Sequence, residues 1–223
     1  MNFDRIINIV RYLSGLPKSI YVNFRVLPFR QAIYLPIIVS RKTKLVSLSG
    51  NVILGKVKPG IIRIGFGGSG NMIDYRYSRT LLKLTGTLEC KGKVKIGMGS
   101  RLLISGKLTL GNNFNATGDA LISCSKKISI GDNNILSFET IIMDSDQHII
   151  YNNNGDCINK DKEIIIGDNV WIGARSFILK NTHIPNGSII GANTVLSKSF
   201  TTSNIVIAGN PPRIIKNGIY WKH

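Results

Sequence analysis

The sequence predicts an all-β solenoid, a three-sided coil whose sides are successive six-residue segments. Three observations predict it. First, Ile166, Ile172, Ile178, Ile184, Ile190 and Leu196 place an aliphatic residue at every sixth position. Second, the compact residues Val170, Ser176, Thr182, Ser188 and Thr194 stand two places before an aliphatic, and glycine follows one at 167, 173 and 191. Third, the same phase reaches back across a polar interruption to Ile142, Leu136 and Ile130. A six-residue step fits neither the 3.6-residue turn of a helix nor the two-residue alternation of a long strand. Self-similarity at a fixed short period marks stacked repeats.

Residues 1–44 read as a basic, partly helical extension. Ile6, Ile7, Val10 and Leu13 lie on one helical face, with Arg5 and Arg11 beside them. Pro17, Pro28 and Pro36 are expected to divide the rest into short pieces. This segment holds eight Lys/Arg and one acid, Asp4. Two readings stand: a cap over the open end of the coil, and a basic amphipathic surface lying on an anionic membrane. The run from Ala32 to Val39 is broken by Pro36 and is too short to span a bilayer. No cleavable signal peptide is visible, so a cytoplasmic, reduced protein is expected.

The coil is expected over 45–210. Weak repeats at Val46, Val52 and Ile64 lead into a regular series at Leu84, Cys90, Ile96, Leu102 and Leu108. A narrow bore is expected to hold one large and one compact group per side, and glycine after the aliphatic suits a tight corner. Three sides make an 18-residue turn, hence roughly seven to eight turns, less loops. Cys90 reads as a small buried hydrophobe. Three cysteines, odd in number and far apart, exclude a disulfide scaffold.

The interruption is the candidate site. In phase, positions 148, 154 and 160 call for aliphatics but hold His148, Asn154 and Lys160. The stretch YNNNGDCINKDKE at 151–163 cannot fill an apolar bore, so 148–163 should loop out. His148 stands at the root of this loop, just after Asp144 and Asp146. A carboxylate can fix an imidazole tautomer and stabilise its protonated form, and either aspartate could do so. His183 falls at an outward position and His223 at the terminus. Histidines 35 and 40 residues apart, with no CxxC, make no metal site.

The net charge of +17 is unevenly spread. Residues 1–73 carry eleven basic residues and one acid, and six basic residues with no acid follow from Asn169 to the end. Such a field favours anionic partners. Nucleic acid is not expected, because no binding motif or aromatic-studded basic strand occurs. A phosphorylated co-substrate at the C-terminal end and an anionic membrane at the N-terminal end suit the asymmetry.

Residues 110–216 resemble the hexapeptide-repeat acyltransferases, which are left-handed parallel β-helices. The nearest branches are the galactoside/maltose acetyltransferases and the O-acetyltransferases of capsule and O-antigen biosynthesis. The resemblance is carried by IGDN at 130–133, MDSDQHII at 143–150, IGDNVWIGA at 166–174, IIGANTVLSKS at 189–199 and AGNPPRII at 208–215. It implies a left-handed coil, acetyl-CoA as donor, a carbohydrate acceptor and a homotrimer with active sites between subunits. By the same resemblance His148 is the general base and Asp146, in competition with Asp144, its orienting acid. Trp171 lines the acetyl or acceptor pocket. Ala174 and Ala192 flank the pantetheine arm, Ser197 and Lys198 sit near the cofactor, and Arg213 and Lys216 sit near its phosphates. A backbone N–H near the Trp171–Gly173 corner is a candidate oxyanion donor. Thr117 stands where the galactoside branch places an acceptor-positioning asparagine, and MDSDQH is closer to the polysaccharide-modifying branch. Pro211 and Pro212 end the coil and leave 211–223 as a tail. Three functions follow as alternatives: O-acetylation of a surface polysaccharide or its precursor, N-acetylation of a nucleotide-linked amino sugar, and a non-catalytic scaffold.

Overall fold

The structure is a computed structural model that describes residues 3–67 and 78–222, with side chains from residue 10 onward. The side chains of Arg5, Ile6 and Ile7, and all of His223, lie outside the described residues. Helices α1 (Phe3–Val26) and α2 (Phe29–Ala32) precede a left-handed parallel β-helix. Among the described residues its first face stacks nine strands, from Ile37–Val39 to Arg213–Lys216. The second stacks seven, from Lys44–Leu48 to Val195–Leu196, and the third six, from Asn51–Leu54 to His183–Ile184. Among the described residues every pairing of these stacked strands is parallel except the last, where Arg213–Lys216 runs antiparallel to Val206–Ala208.

The six-step aliphatics fill the bore. Ile130, Leu136, Ile142, Ile166, Ile172, Ile178, Ile184, Ile190 and Leu196 are buried, as are Val170, Ser176, Thr182, Ser188 and Thr194. Cys90 is buried too, and desolvation first, then the charge of Glu89, pushes its thiol up to about 12.

The turn length differs from the uniform 18 residues expected. From Ile165 onward the rungs are 18 apart, as in Ile165 over His183 and Trp171 over Ile189, except the last parallel one, Ile189 over Val206, which is 17. Between Leu81 and the interruption they are 20 apart: Leu81, Arg101, Leu121 and Ile141 stack in one column. The longer turn makes a wider bore, and it holds two large groups per side, such as Leu82 with Leu84, Leu102 with Ile104, and Leu108 with Leu110. One large group paired with a compact one therefore describes only the C-terminal coil. Val46, expected inward, is exposed, because the strand register slips between Leu45 and Ser47.

Corners also differ from expectation. Among the described non-glycine residues at left-handed positions the commonest is asparagine, as at Asn113, Asn133, Asn169, Asn181 and Asn193, a residue that tolerates this conformation. Gly173 does not use positive φ. It is needed for close approach, since a Cβ there would lie 2.6 Å from the Ala192 nitrogen. The IGDN motifs form a corner ladder in which side-chain oxygens accept backbone N–H groups. Asp132 accepts from Asn112 at 2.7 Å, Asp168 from Asp132 at 2.7 Å, and Asn186 from Asp168 at 2.8 Å.

The coil begins at Ile37, inside the stretch assigned to the extension, because strand Ile37–Val39 already pairs with Ile62–Ile64. Helix α1 runs through Pro17 without a break. Tertiary anchoring overrides the cost of the missing N–H there. Val22 and Val26 pack inward, and Asn23 bridges Ile37, donating to its carbonyl at 2.6 Å and accepting its N–H at 3.1 Å. Ser19 Oγ accepts the Val39 N–H at 2.9 Å. Gly15 lets the helix approach, since a Cβ would lie 2.4 Å from the Val39 carbonyl oxygen. Helix α1 thus covers the first strand edge of the coil. An uncompensated buried group there would cost roughly 1–3 kcal/mol.

Candidate functional site

The interruption leaves the second face after Ile141–Met143 and re-enters the third at Ile164–Ile166. Its root is built by Asp144. This carboxylate is buried and accepts three backbone N–H groups, from Ser125 at 2.6 Å, Lys126 at 2.8 Å and Lys127 at 2.7 Å. All of these bonds go to the corner one turn away, so Asp144 is a structural anchor of the loop and not a partner of His148.

Gln147 adopts φ +64, and the chain bends there to present an exposed His148. Asn159 closes the loop behind it. Its Nδ2 donates to the His148 carbonyl at 2.8 Å and to Asp146 Oδ2 at 2.9 Å, while its Oδ1 accepts the Ile150 N–H at 2.7 Å. Lys180 Nζ donates to Asp146 Oδ2 and, at 2.7 Å, to the Asn159 carbonyl. Asp146, expected to orient the imidazole, is turned instead toward Lys180 and Asn159, and Asn159 holds the backbone at His148 and Ile150. Lys180 and Asn159 were not singled out by sequence. Lys180 lies 34 residues from Asp146, and nothing in a six-residue pattern marks such a pair.

The loop beyond is compact, with Tyr151 bridged to Cys157 and Asn152 Oδ1 accepting the N–H groups of Asn154 and Asp156. It exposes Ile149, Ile150, Tyr151 and Ile158 beside His148.

The remaining residues fall into two groups. Trp171 is outward as expected and 41% exposed. Its Nε1 donates to Ser137 Oγ at 3.0 Å, and its ring lies 6.2 Å from that of Trp221. Trp221 is seated by an Nε1 bond to the Asn169 carbonyl at 2.8 Å, so the C-terminal tail folds back over this face. Thr117 gives its hydroxyl to the Leu136 carbonyl at 2.5 Å, one turn on. At the corner proposed for the oxyanion donor, Trp171 N–H donates to the Ser188 carbonyl at 3.0 Å and Gly173 N–H to the Ile190 carbonyl at 2.8 Å, so these two groups serve the coil ladder.

The second group lines a corner of small residues. Ala174 follows Gly173 and Ala192 follows Gly191, and a Cβ on Gly191 would reach 3.0 Å from that of Ala208. Ala208 is the register partner of Arg213, and Val206 that of Lys216. Two exposed cations thus flank a shallow, nearly side-chain-free corner, a surface suited to a slender arm ending in phosphates. Ser197 and Lys198 lie exposed where the chain leaves Val195–Leu196, with Lys198 Nζ 5.5 Å over the Phe200 ring. Among the described residues no cluster of His, Cys, Asp or Glu is arranged to hold a metal ion.

The description "Bacterial transferase hexapeptide (six repeats)" matches residues 163–198, the stretch whose register is 18 residues per turn. Over that stretch the chain is similar to the hexapeptide-repeat transferases. It is similar over its whole length, at 28% identity, to all of a 24.8 kDa protein of the cps region of Klebsiella pneumoniae. It is 44% identical over 121 residues to a polysialic acid O-acetyltransferase of Neisseria meningitidis, covering 54% of each chain. The chain therefore spans about half the length of that curated relative. The crystal structure of the polySia-specific acetyltransferase NeuO shares the fold at TM-score 0.54 and 20% identity, over 84% of this chain and 89% of that one.

The loop clamp has a testable pH signature. Asp146 is held below its ordinary value of 3.8 first by the Lys180 hydrogen bond, then by Asn159. A lowered folded value means that this ion pair contributes above the ordinary carboxylate range and is lost as pH falls through the lowered value. The pair is exposed, so its energetic worth is small. Lys180→Met should move the Asp146 titration up toward 3.8, read from its carboxyl carbon chemical shift. An unchanged midpoint would refute the clamp.

Proposed function

We propose that this chain is an acetyl-CoA-dependent O-acetyltransferase acting on a sugar hydroxyl of a surface polysaccharide or its precursor. The observation that carries the reading is His148, held at the root of a clamped loop on a rigid acyltransferase coil. Its relatives of known name, including polysialic acid O-acetyltransferases, support the acceptor class. In the reaction His148, as the neutral imidazole, takes the proton of the acceptor hydroxyl while the oxygen attacks the thioester carbonyl. The tetrahedral oxyanion collapses, the C–S bond breaks, and the imidazolium returns the proton to the departing thiolate. The small-residue corner of Ala174 and Ala192 carries the pantetheine arm, Ser197 and Lys198 lie beside it, and Arg213 and Lys216 meet the phosphates. Trp171, with Thr117 on the same side of the coil, borders the acceptor.

His148→Ala should keep the fold and lower turnover by about 10²–10⁴-fold. Near-wild-type turnover of a folded variant removes His148 from the mechanism. Product that carries acetyl on an amine, by mass spectrometry and alkaline stability, overturns the hydroxyl assignment.

The assembly is a homotrimer. Ile149, Ile150, Tyr151 and Ile158 form an exposed apolar rim around His148 on the isolated chain, and such a rim calls for a neighbour to cover it. The neighbour would also turn an exposed His148 into one wall of a cleft. Sedimentation should give about three times the 24.6 kDa chain mass, and Ile158→Asp should dissociate it. A monomeric wild type that turns over normally sinks the shared site.

The N-terminal cap also meets a membrane. Among the described residues no helix is long and apolar enough to cross one. However, Val10, Leu13, Ile20 and Phe24 form an exposed stripe on α1, continued by Phe29 and Ile33, with Arg25 and Arg30 exposed beside it. An apolar stripe with flanking cations suits an anionic bilayer surface. The wild type should cosediment with phosphatidylglycerol-containing vesicles and not with pure phosphatidylcholine, and Ile20→Asp/Phe24→Asp should abolish this. Equal recovery with both vesicles, or none with either, argues the stripe away from membranes.

A further inference from the structure

Beneath the start of the described part of α1 lies a cleft of about 1220 Å³, well away in sequence from the His148 loop. It is larger than the roughly 300–1,000 Å³ of a typical small-ligand pocket. Its lining includes Arg41, Lys56, Lys58, Arg63, Lys93 and Lys95, and among its described lining residues there is no Asp or Glu. The six cations come from three successive levels of the coil. Arg63 and Lys95 are register partners on neighbouring strands of the first face, and the others sit on the corners around them. No ion pair with a described carboxylate neutralises any of the six. The field is felt behind the cleft: Lys18 is held below the ordinary lysine value by burial first, then by Arg79 and Arg41.

Gathering like charges around one concavity opposes folding by self-repulsion. A bound polyanion would relieve that repulsion along the cleft's length, whereas a single small anion would relieve only part of it. Arg63 is pre-aimed, with Nη1 donating to the Tyr12 hydroxyl at 3.0 Å and its guanidinium 5.3 Å from the Tyr12 ring. The rings in the cleft, Tyr12 and Phe66, stack on each other at 4.6 Å. Among the described lining residues no free aromatic platform is left for nucleic-acid bases, on which single-strand binders stack them.

The cleft is also continuous with the acceptor side of the coil. On the first face the outward column runs Arg63, Lys95, Asn115, Ile135, Trp171, each the register partner of the next. Three rungs separate Lys95 from Trp171, or about 14 Å at roughly 4.8 Å per rung.

We infer that this cleft is a docking groove for a carboxylate-bearing stretch of the acceptor polysaccharide, which makes acidic glycan chains the preferred substrate class. The inference rests on the acetyltransferase reading for the word acceptor, but binding can be measured without acetyl transfer.

The test uses fluorescence anisotropy with the full chain, no acetyl-CoA, and three labelled probes: an oligosialic acid of about ten residues, a neutral dextran fragment of the same length, and oligodeoxythymidylate. Lys56→Ser/Lys58→Ser/Lys93→Ser removes three solvent-facing lysines, and Lys95→Gln is a single-site check. The expected result is preference for oligosialic acid, about tenfold weaker binding by the triple variant with a shallower salt dependence, and unchanged kcat on a monosaccharide acceptor with a raised KM for the polymer. Unchanged oligosialic acid affinity in both variants overturns the groove, as does equal affinity for dextran. Equal or tighter binding of oligodeoxythymidylate reassigns the cleft to nucleic acid and overturns it as well. If His148→Ala were fully active while the lysine variants lost oligosialic acid, the mechanism would fail and the groove would stand.

Discussion

In a parallel coil each strand's peptide groups are satisfied by the strands one turn before and after it, so inward side chains stack in rows along the bore. Filling those rows without voids or clashes is the constraint on which the molecule depends. It decides which residues face inward and forces polar excursions out at the corners. The two turn lengths are two solutions to it. Twenty residues per turn give four-residue strands such as Leu81–Leu84 and Arg101–Ile104, with two large groups inside each. Eighteen give two-residue strands such as Trp171–Ile172 and Ile189–Ile190, where a hydroxyl or valine fills the remaining space. The His148 loop leaves the coil where one solution gives way to the other.

A stack of parallel strands satisfies itself everywhere except at its ends, where a bare edge invites pairing with another chain. The two ends are closed differently. At the first, helix α1 supplies side-chain amide and hydroxyl groups, and Asn23 and Ser19 stand in for a missing strand against Ile37 and Val39. At the last, the chain reverses, so that Arg213–Lys216 pairs antiparallel to Val206–Ala208. The reversal also carries Trp221 back to Trp171 and sets Arg213 and Lys216 beside the small-residue corner. Closing this edge and setting two cations beside the small-residue corner are therefore one structural event.

The coil from Ile166 to Leu196 was legible in the sequence because each six-residue side obeys one rule, and both its aliphatic and its compact positions are buried. The wider coil was legible only as a repeat. Leu84, Cys90, Ile96, Leu102 and Leu108 are all buried, yet Leu84 stacks on Ile104 and not on Leu102, because a six-residue count drifts by two residues per 20-residue turn. The looped-out segment and its histidine were visible as a break in phase. The roles of the two aspartates were not, since Asp144 and Asp146 are alike in composition and differ in what the fold brings to them: three backbone N–H groups for one, Lys180 and Asn159 for the other. Proline rules misled at Pro17 because propensity is local, while Ser19 and Asn23 bind α1 to residues up to 20 positions away.

The charge asymmetry acquires a physical sense from the same geometry. A solenoid displays successive levels as a linear surface, so charge that is segregated in sequence becomes segregated along the axis. The N-terminal levels, with longer strands and broad faces, can carry side-by-side cations such as Arg63 and Lys95 on one face. The C-terminal levels have narrow sides and small corners, where a slender ligand can approach the backbone. Acids concentrate between them, and several are spent on the coil itself: Asp132 and Asp168 on the corner ladder, Asp144 on the loop root, Glu139 on Arg175 at 2.5 Å. Because these carboxylates sit on the middle levels, the acids there are displaced along the axis from the cations at either end. An anionic chain and a phosphorylated donor can thus be drawn to opposite ends of one rigid body, with the histidine loop rising between them.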